Sequence, residues 1–212
     1  MTPSAKLALD DLAARSPFPF PDGWASALEG AHSKGRRMYH TLAHVSDVAR
    51  HFDFARARAS VSDPATVFVA ILFHDAIYDA LASDNEARSA ALALEWVARS
   101  NVDVSPARVE AFVLATAAHG TIEPAGDLDL ALFLDSDMAI LGASEAEYDA
   151  YERGVAYEYA EAYPEAAYRM GRSRFLEKLI AKPRLYTSDL FHETFDVVAR
   201  ENLRRAMASL AP

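Results

Sequence analysis

The chain has no cysteine among its 212 residues. That excludes thiolate nucleophiles and cysteine-rich zinc sites, and it fits a reducing compartment. A phosphate-binding glycine loop and a GxSxG elbow are also missing, so P-loop and serine-hydrolase chemistry are out. No apolar run reaches membrane-spanning length, and the first residues, MTPSAKLALDDLAARS, carry neither a basic start with an apolar core nor a cleavage site. The expected location is the cytoplasm, with no membrane partner. Basic residues are in the minority, 21 Lys and Arg against 31 Asp and Glu, which gives a formal charge of −10 and a pI of about 5.1. Nonspecific binding to duplex nucleic acid relies on clustered Lys and Arg, so that partner is excluded. A small phosphorylated molecule is not, because a local positive pocket can sit on an acidic protein.

What is present reads as helix throughout. With 51% hydrophobic and 25% charged residues, the chain can bury one substantial core, and no repeat, low-complexity tract or linker divides it. The expectation is an all-α, single-domain bundle over 1–212, with its core in about 20–205. Helices are expected at 3–15, 22–33, 39–58, 64–79, 85–100, 105–118, 127–141, 144–162, 165–181 and 188–209. Asp63-Pro64, Ser105-Pro106 and Tyr163-Pro164 mark three of the starts.

Chemistry enters through polar residues set in apolar helices. The segment 65–78, ATVFVAILFHDAIY, is apolar almost all round, so it reads as a buried helix carrying His74 and Asp75. A buried carboxylate costs several kcal/mol or loses its charge unless a cation or good hydrogen bonds meet it. No Lys or Arg lies between Ala59 and Ala87. In 128–141, Asp137 shares a stripe with Leu130, Leu134 and Leu141, whereas Asp135 lies about 200° round the helix from it. Asp137 is therefore the expected site residue. Upstream, Arg37, His40 and His44 recur at i, i+3 and i+7 and are read as one helix face. His44, His74, Asp75 and Asp137 together read as the ligands of a divalent metal built across a bundle.

The order His, His-Asp, Asp on a helical chain resembles the HD superfamily of metal-dependent phosphohydrolases. More narrowly, RMYHTLAHV (37–45), LFHDAIYD (72–79), DNEARSA (84–90), DSDMAILG (135–142), YRMGR (168–172) and ARENL (199–203) are similar to a bacterial subgroup of predicted HD phosphohydrolases whose substrate is not established. The resemblance spans roughly 20–205. It implies that His44, His74, Asp75 and Asp137 hold the metal and that Asp75 belongs to the catalytic set. Imidazole and carboxylate suit manganese, iron, cobalt, nickel or zinc rather than calcium.

Two departures from the superfamily pattern bear on mechanism. Many HD phosphatases have a glutamate three residues after the HD aspartate; here Tyr78 stands there, followed by Asp79. Dinuclear members add histidines, and here the candidate set for a second ion bridged by Asp75 is Glu86 and His119. One ion is expected and two are the alternative. His119 also fits a C-cap before Gly120, and 84–86 also fits a helix start.

The reaction implied is hydrolysis of a nucleotide or phosphate monoester by metal-activated water. His40 is the expected proton carrier, with an outer hydrogen-bond partner of the site as the alternative reading. Arg37 is expected to bind the phosphate through a bidentate pair and to take part in catalysis, with Arg172 as a second substrate-binding group. Two other classes remain: an HD-type non-haem diiron oxygenase, and a ligand-binding HD module without turnover. The aromatic run Tyr148, Tyr151, Tyr157, Tyr159, Tyr163 and Tyr168 fits bundle packing, a pocket border or a homodimer interface.

Overall fold

Helix starts follow their capping residues. The computed structural model describes residues 2–118 and 126–210. In it, α1 (Pro3–Arg15), α4 (Pro64–Phe73) and α6 (Pro106–Ala115) each open on a proline, behind a Thr2, Asp63 or Ser105 side chain that accepts a first-turn amide. The remaining helices are α2 (Trp24–His32), α3 (Leu42–Arg56), α5 (Asn85–Ala98), α7 (Leu128–Asp137), α8 (Glu145–Tyr159), α9 (Glu165–Ile180) and α10 (Asp189–Ser209). Helix α8 begins with a capping box between Ser144 and Glu147. Tight 3-10 turns follow α6 at Thr116–Ala118 and α7 at Met138–Gly142. No strand occurs among the described residues, so the chain is all-α as expected. No helix among them is long and apolar enough to cross a membrane.

Several expected helices are shorter than their patterns, and two of these corrections matter to chemistry. The helix expected over 64–79 stops at Phe73, which leaves His74 as its C-cap residue and Asp75 beyond it. The helix expected over 39–58 starts at Leu42, so Arg37 and His40 lie in the connection before it and do not share a helix face with His44. Apolar composition continues past Phe73 because His74 and Ala76 are buried outside the helix, whereas the residues before Leu42 are polar or only partly buried and share only a helical spacing. The hydrophobic pattern past Phe73 therefore reports burial and not conformation.

Apolar side chains form two clusters. The first gathers α1 to α7 around Trp24, Phe52, Phe68, Phe73 and Phe133. A second unites α8, α9 and α10 with the turn after α7, around Tyr148, Leu176, Tyr186 and Phe191. Helices α3 and α7 join them: Phe52 and Phe133 belong to the first, Ala55 and Leu132 to the second. The polar cluster described next is carried by these two helices and by the end of α4.

Candidate metal centre

Consecutive residues on an α-helix point about 100° apart, so a His-Asp pair within one cannot aim both side chains at a point. Ending α4 at Phe73 removes that restriction. His74 Nδ1 lies 2.9 Å from the Ile71 carbonyl oxygen; donating there puts the ring proton on Nδ1 and leaves Nε2 as a bare donor atom. His44 is the third residue of α3, and Asp137 is the last residue of α7. The four residues thus stand at helix ends, where the backbone direction changes.

Their donor atoms converge. His44 Nε2 lies 3.2 Å from His74 Nε2, 3.0 Å from Asp137 Oδ1 and 3.5 Å from Asp75 Oδ2. His74 Nε2 lies 3.2 Å from Asp75 Oδ2 and 3.5 Å from Asp137 Oδ1. Bonds of about 2.1 Å to one ion would set neighbouring donors about 3.0–3.4 Å apart, in an octahedral or tetrahedral arrangement. The observed spacings match those edges, and His44, His74 and Asp75 form a group that could hold a metal ion. Asp137 extends that group by one carboxylate oxygen.

Charge points the same way. Two carboxylates and two neutral imidazoles sum to −2, the complement of a divalent cation. Burial by itself would push both imidazoles down, yet the facing Asp75 and Asp137 carboxylates override it, and His44 and His74 are held above the usual imidazole range, His74 well above. Burial likewise opposes ionisation of Asp75, but the two imidazoles and His40 hold its carboxyl well below the usual carboxylate range. A bound cation would take the place of protons at these donors.

Asp135, two residues from Asp137, serves the fold. Its buried oxygens accept from the amides of Thr187 and Ser188, at 2.8 and 2.7 Å, and from both hydroxyls. Burial raises its pKa, and those four bonds work against the rise.

Arg37 is turned toward the main chain. Its Nη1 donates to the oxygens of His40 and Asp75, both at 2.7 Å, its Nη2 to Ala76 at 2.9 Å and its Nε to Lys34 at 3.1 Å. Four of its five N–H groups are therefore engaged by carbonyls, and Arg37 does not line the cavity. It closes the broken end of α4, where carbonyl oxygens would otherwise be orphaned.

His40 reaches the cavity from the connection before α3. Its Nδ1 lies 2.6 Å from Glu158 Oε2 on α8, and its ring stacks on Tyr78 with centroids 4.2 Å apart. Glu158 was missed by the sequence reading, although it lies on one α8 face with Tyr151, Gly154 and Val155, three to seven residues before it. A carboxylate on that apolar stripe was the available signal.

A cavity of about 860 Å³ contains His40, His44, Asp75 and Asp137 on its wall. Six tyrosines also line it: Tyr39, Tyr78, Tyr151, Tyr159, Tyr163 and Tyr168. Of the expected aromatic run, Tyr148 is instead buried in the second core cluster, and Tyr157 is exposed beneath Arg36. Arg172 lines the same space, held by Glu152 through Nε at 3.1 Å and Nη2 at 2.7 Å, and by the Tyr151 hydroxyl at 2.8 Å. Glu86 lines the cavity from the first turn of α5, whereas His119 lies outside the described residues. Across protein-family models, curated proteins and solved structures no match is found, so no family is assigned and the functional reading rests on this geometry.

Proposed function

We propose that this chain is a metal-dependent phosphohydrolase acting on a small phosphorylated substrate, a nucleotide or a phosphate monoester. The observation that carries the reading is the convergence of the His44, His74, Asp75 and Asp137 donor atoms, 3.0–3.5 Å apart, beside a cavity of about 860 Å³ whose wall includes His44, Asp75 and Asp137. A phosphoryl group fills a small part of such a space, so the rest is available to the organic portion of the substrate. Manganese, iron, cobalt, nickel or zinc suits the donor set, and one ion is favoured. Bound there, the ion would lower the pKa of water and offset negative charge on the phosphoryl oxygens.

The chain's own residues divide the remaining work. His40, on the cavity wall beside the ligand set with its ring edge-on to that of His44, is the proton carrier: water's oxygen ends on phosphorus, the P–O bond to the leaving group breaks, and a proton passes to the leaving oxygen. General acid–base assistance of this kind contributes typically about 10²–10⁴-fold. Arg172 lines the cavity, and its Nη1, which has no hydrogen bond among the described residues, is the group left to bind the phosphate. Arg37 acts on the site through the backbone of Asp75. Tyrosine rings give apolar faces with polar edges, which suits a substrate with a ring or sugar beside its phosphate.

The test pairs metal analysis with turnover. Protein purified without chelators is assayed for metal and, after reconstitution, for phosphate release from a panel of nucleotides and phosphate monoesters, with His74→Ala and Asp75→Ala as controls. The expected result is about one transition-metal ion per chain, with metal and phosphate release both lost in the variants. Protein without metal and without phosphate release overturns the reading, and two irons per chain without phosphatase activity assign an oxygenase instead.

A further inference from the structure

We infer that Glu158 is a positioning residue for the reaction: it fixes His40 so that Nδ1 carries the ring proton and Nε2 is the nitrogen offered to the cavity. The inference rests on the hydrolase reading above, in which His40 moves the proton.

The division of labour between the two Glu158 oxygens carries the argument. Oε1 accepts three successive main-chain amides, from Met38 and Tyr39 at 2.7 Å and from His40 at 3.0 Å. Oε2 meets the His40 ring, with Nδ1 at 2.6 Å. An ionised carboxylate only accepts hydrogen bonds, so the proton between the two groups sits on Nδ1. In the neutral ring the lone pair then belongs to Nε2, on the opposite edge. The Glu158 side chain is fully buried, whereas that of His40 keeps 20% of its surface and lines the cavity.

Packing restricts the ring further. It stacks on Tyr78 at an interplanar angle of 25° and meets the Tyr39 ring edge-on at 5.0 Å. Helix α8 presses on the 38–40 connection directly, because a Cβ on Gly154, one turn before Glu158, would come within 3.0 Å of Tyr39 Cβ. The carboxylate is thus delivered by backbone-level contact rather than by a long mobile side chain. A second-layer carboxylate held this way sets the tautomer and orientation of an imidazole, as in carboxylate–histidine pairs generally.

A residue that merely tied down the 38–40 connection would need Oε1 alone. Glu158→Gln separates the two roles, because glutamine keeps one oxygen for the three amides and puts an NH₂ donor against Nδ1. Nδ1 must then accept, and the ring proton moves to Nε2.

Long-range ¹H–¹⁵N spectra of the zinc-loaded, ¹⁵N-labelled full chain read this directly, with His40 assigned through a His40→Gln variant. The expected result is an Nδ1–H ring in the wild type and an Nε2–H ring in Glu158→Gln. With para-nitrophenyl phosphate, kcat should fall roughly 10–100-fold in Glu158→Gln while KM stays within about 3-fold, and Glu158→Asp should recover part of the loss. An Nε2–H ring in the wild type overturns the inference whether or not the variant folds, as does an unchanged tautomer in a folded Glu158→Gln. If the tautomer inverts but the wild type releases no phosphate from any substrate, the placement of His40 stands and the hydrolase reading fails.

Discussion

The Arg37 guanidinium donates to the main-chain oxygen of Asp75 at 2.7 Å, and so grips the backbone of a candidate metal ligand through its carbonyl. The adjacent Ala76 oxygen, at 2.9 Å, completes a fork across the end of α4. Sequence spacing had suggested a phosphate-binding arginine. The observed role is to satisfy carbonyls exposed where the helix stops early, and that stop is what aims His74 and Asp75 at one point.

Arg37→Ala should therefore act as a stability and metal-affinity variant. Leaving three or four carbonyls short of a charged donor costs about 2–4 kcal/mol, or a fall in Tm of roughly 5–12 °C at this chain length. Lysine, with a single ammonium group, cannot span four carbonyls, so Arg37→Lys should recover little. Thermal unfolding and metal titration check this; a normal Tm and metal Kd with a raised KM would instead return Arg37 to the substrate.

Asp135 and Asp137 offer a matched pair two residues apart. Asp137→Asn removes a carboxylate 3.0 Å from His44 Nε2 and should strip the bound metal. Asp135→Asn exchanges one acceptor for a donor against Thr187 and Ser188, and should cost about 1–3 kcal/mol of stability while metal content stays that of the wild type. Elemental analysis beside urea unfolding separates the two; metal loss in the Asp135 variant alone would reverse the assignment.

Helix identity and the four convergent residues were legible in the sequence because each depends on short-range pattern: caps before prolines, apolar periodicity, and charge where none should be buried. What escaped depends on contacts between distant segments. Glu158 meets His40 across 118 positions, and Arg37 meets Asp75 across 38, so no local window contains either relation. Hydropathy also runs on past Phe73, since a buried turn is as apolar as a buried helix, while the i, i+3, i+7 spacing of Arg37, His40 and His44 falls partly outside α3. Choosing Asp137 over Asp135 needed only the helix repeat.

Arg172 should behave unlike Arg37. It borders the cavity and shares Glu152 with the Tyr148 hydroxyl, 2.7 Å from the same carboxylate. Arg172→Lys should raise KM for an active phosphate ester about 10-fold and leave kcat within a few-fold, the pattern of binding that is equal in ground and transition states. Steady-state kinetics with metal-loaded protein decide this; a kcat effect without a KM change would place Arg172 at the reacting group.

His32 sets an acid limit on the fold. It is buried at the end of α2, Nδ1 donates to the Leu28 oxygen at 3.0 Å, and Nε2 has no hydrogen-bond partner among the described residues. Burial, helped by the nearby Arg37 charge, pushes its pKa down to about 3. An unfolded histidine titrates near 6.5, so between these values the unfolded chain holds more protons than the folded one. The stability that depends on neutral His32 is complete above about pH 6.5 and is lost as pH falls toward 3, at up to about 1.4 kcal/mol per pH unit. Replacing the imidazole with a ring that cannot protonate, His32→Phe, should remove that slope. Urea unfolding of chelator-treated protein at pH 5 and 7.5 measures the difference between the two chains; equal slopes would mean that His32 is charged inside the folded protein.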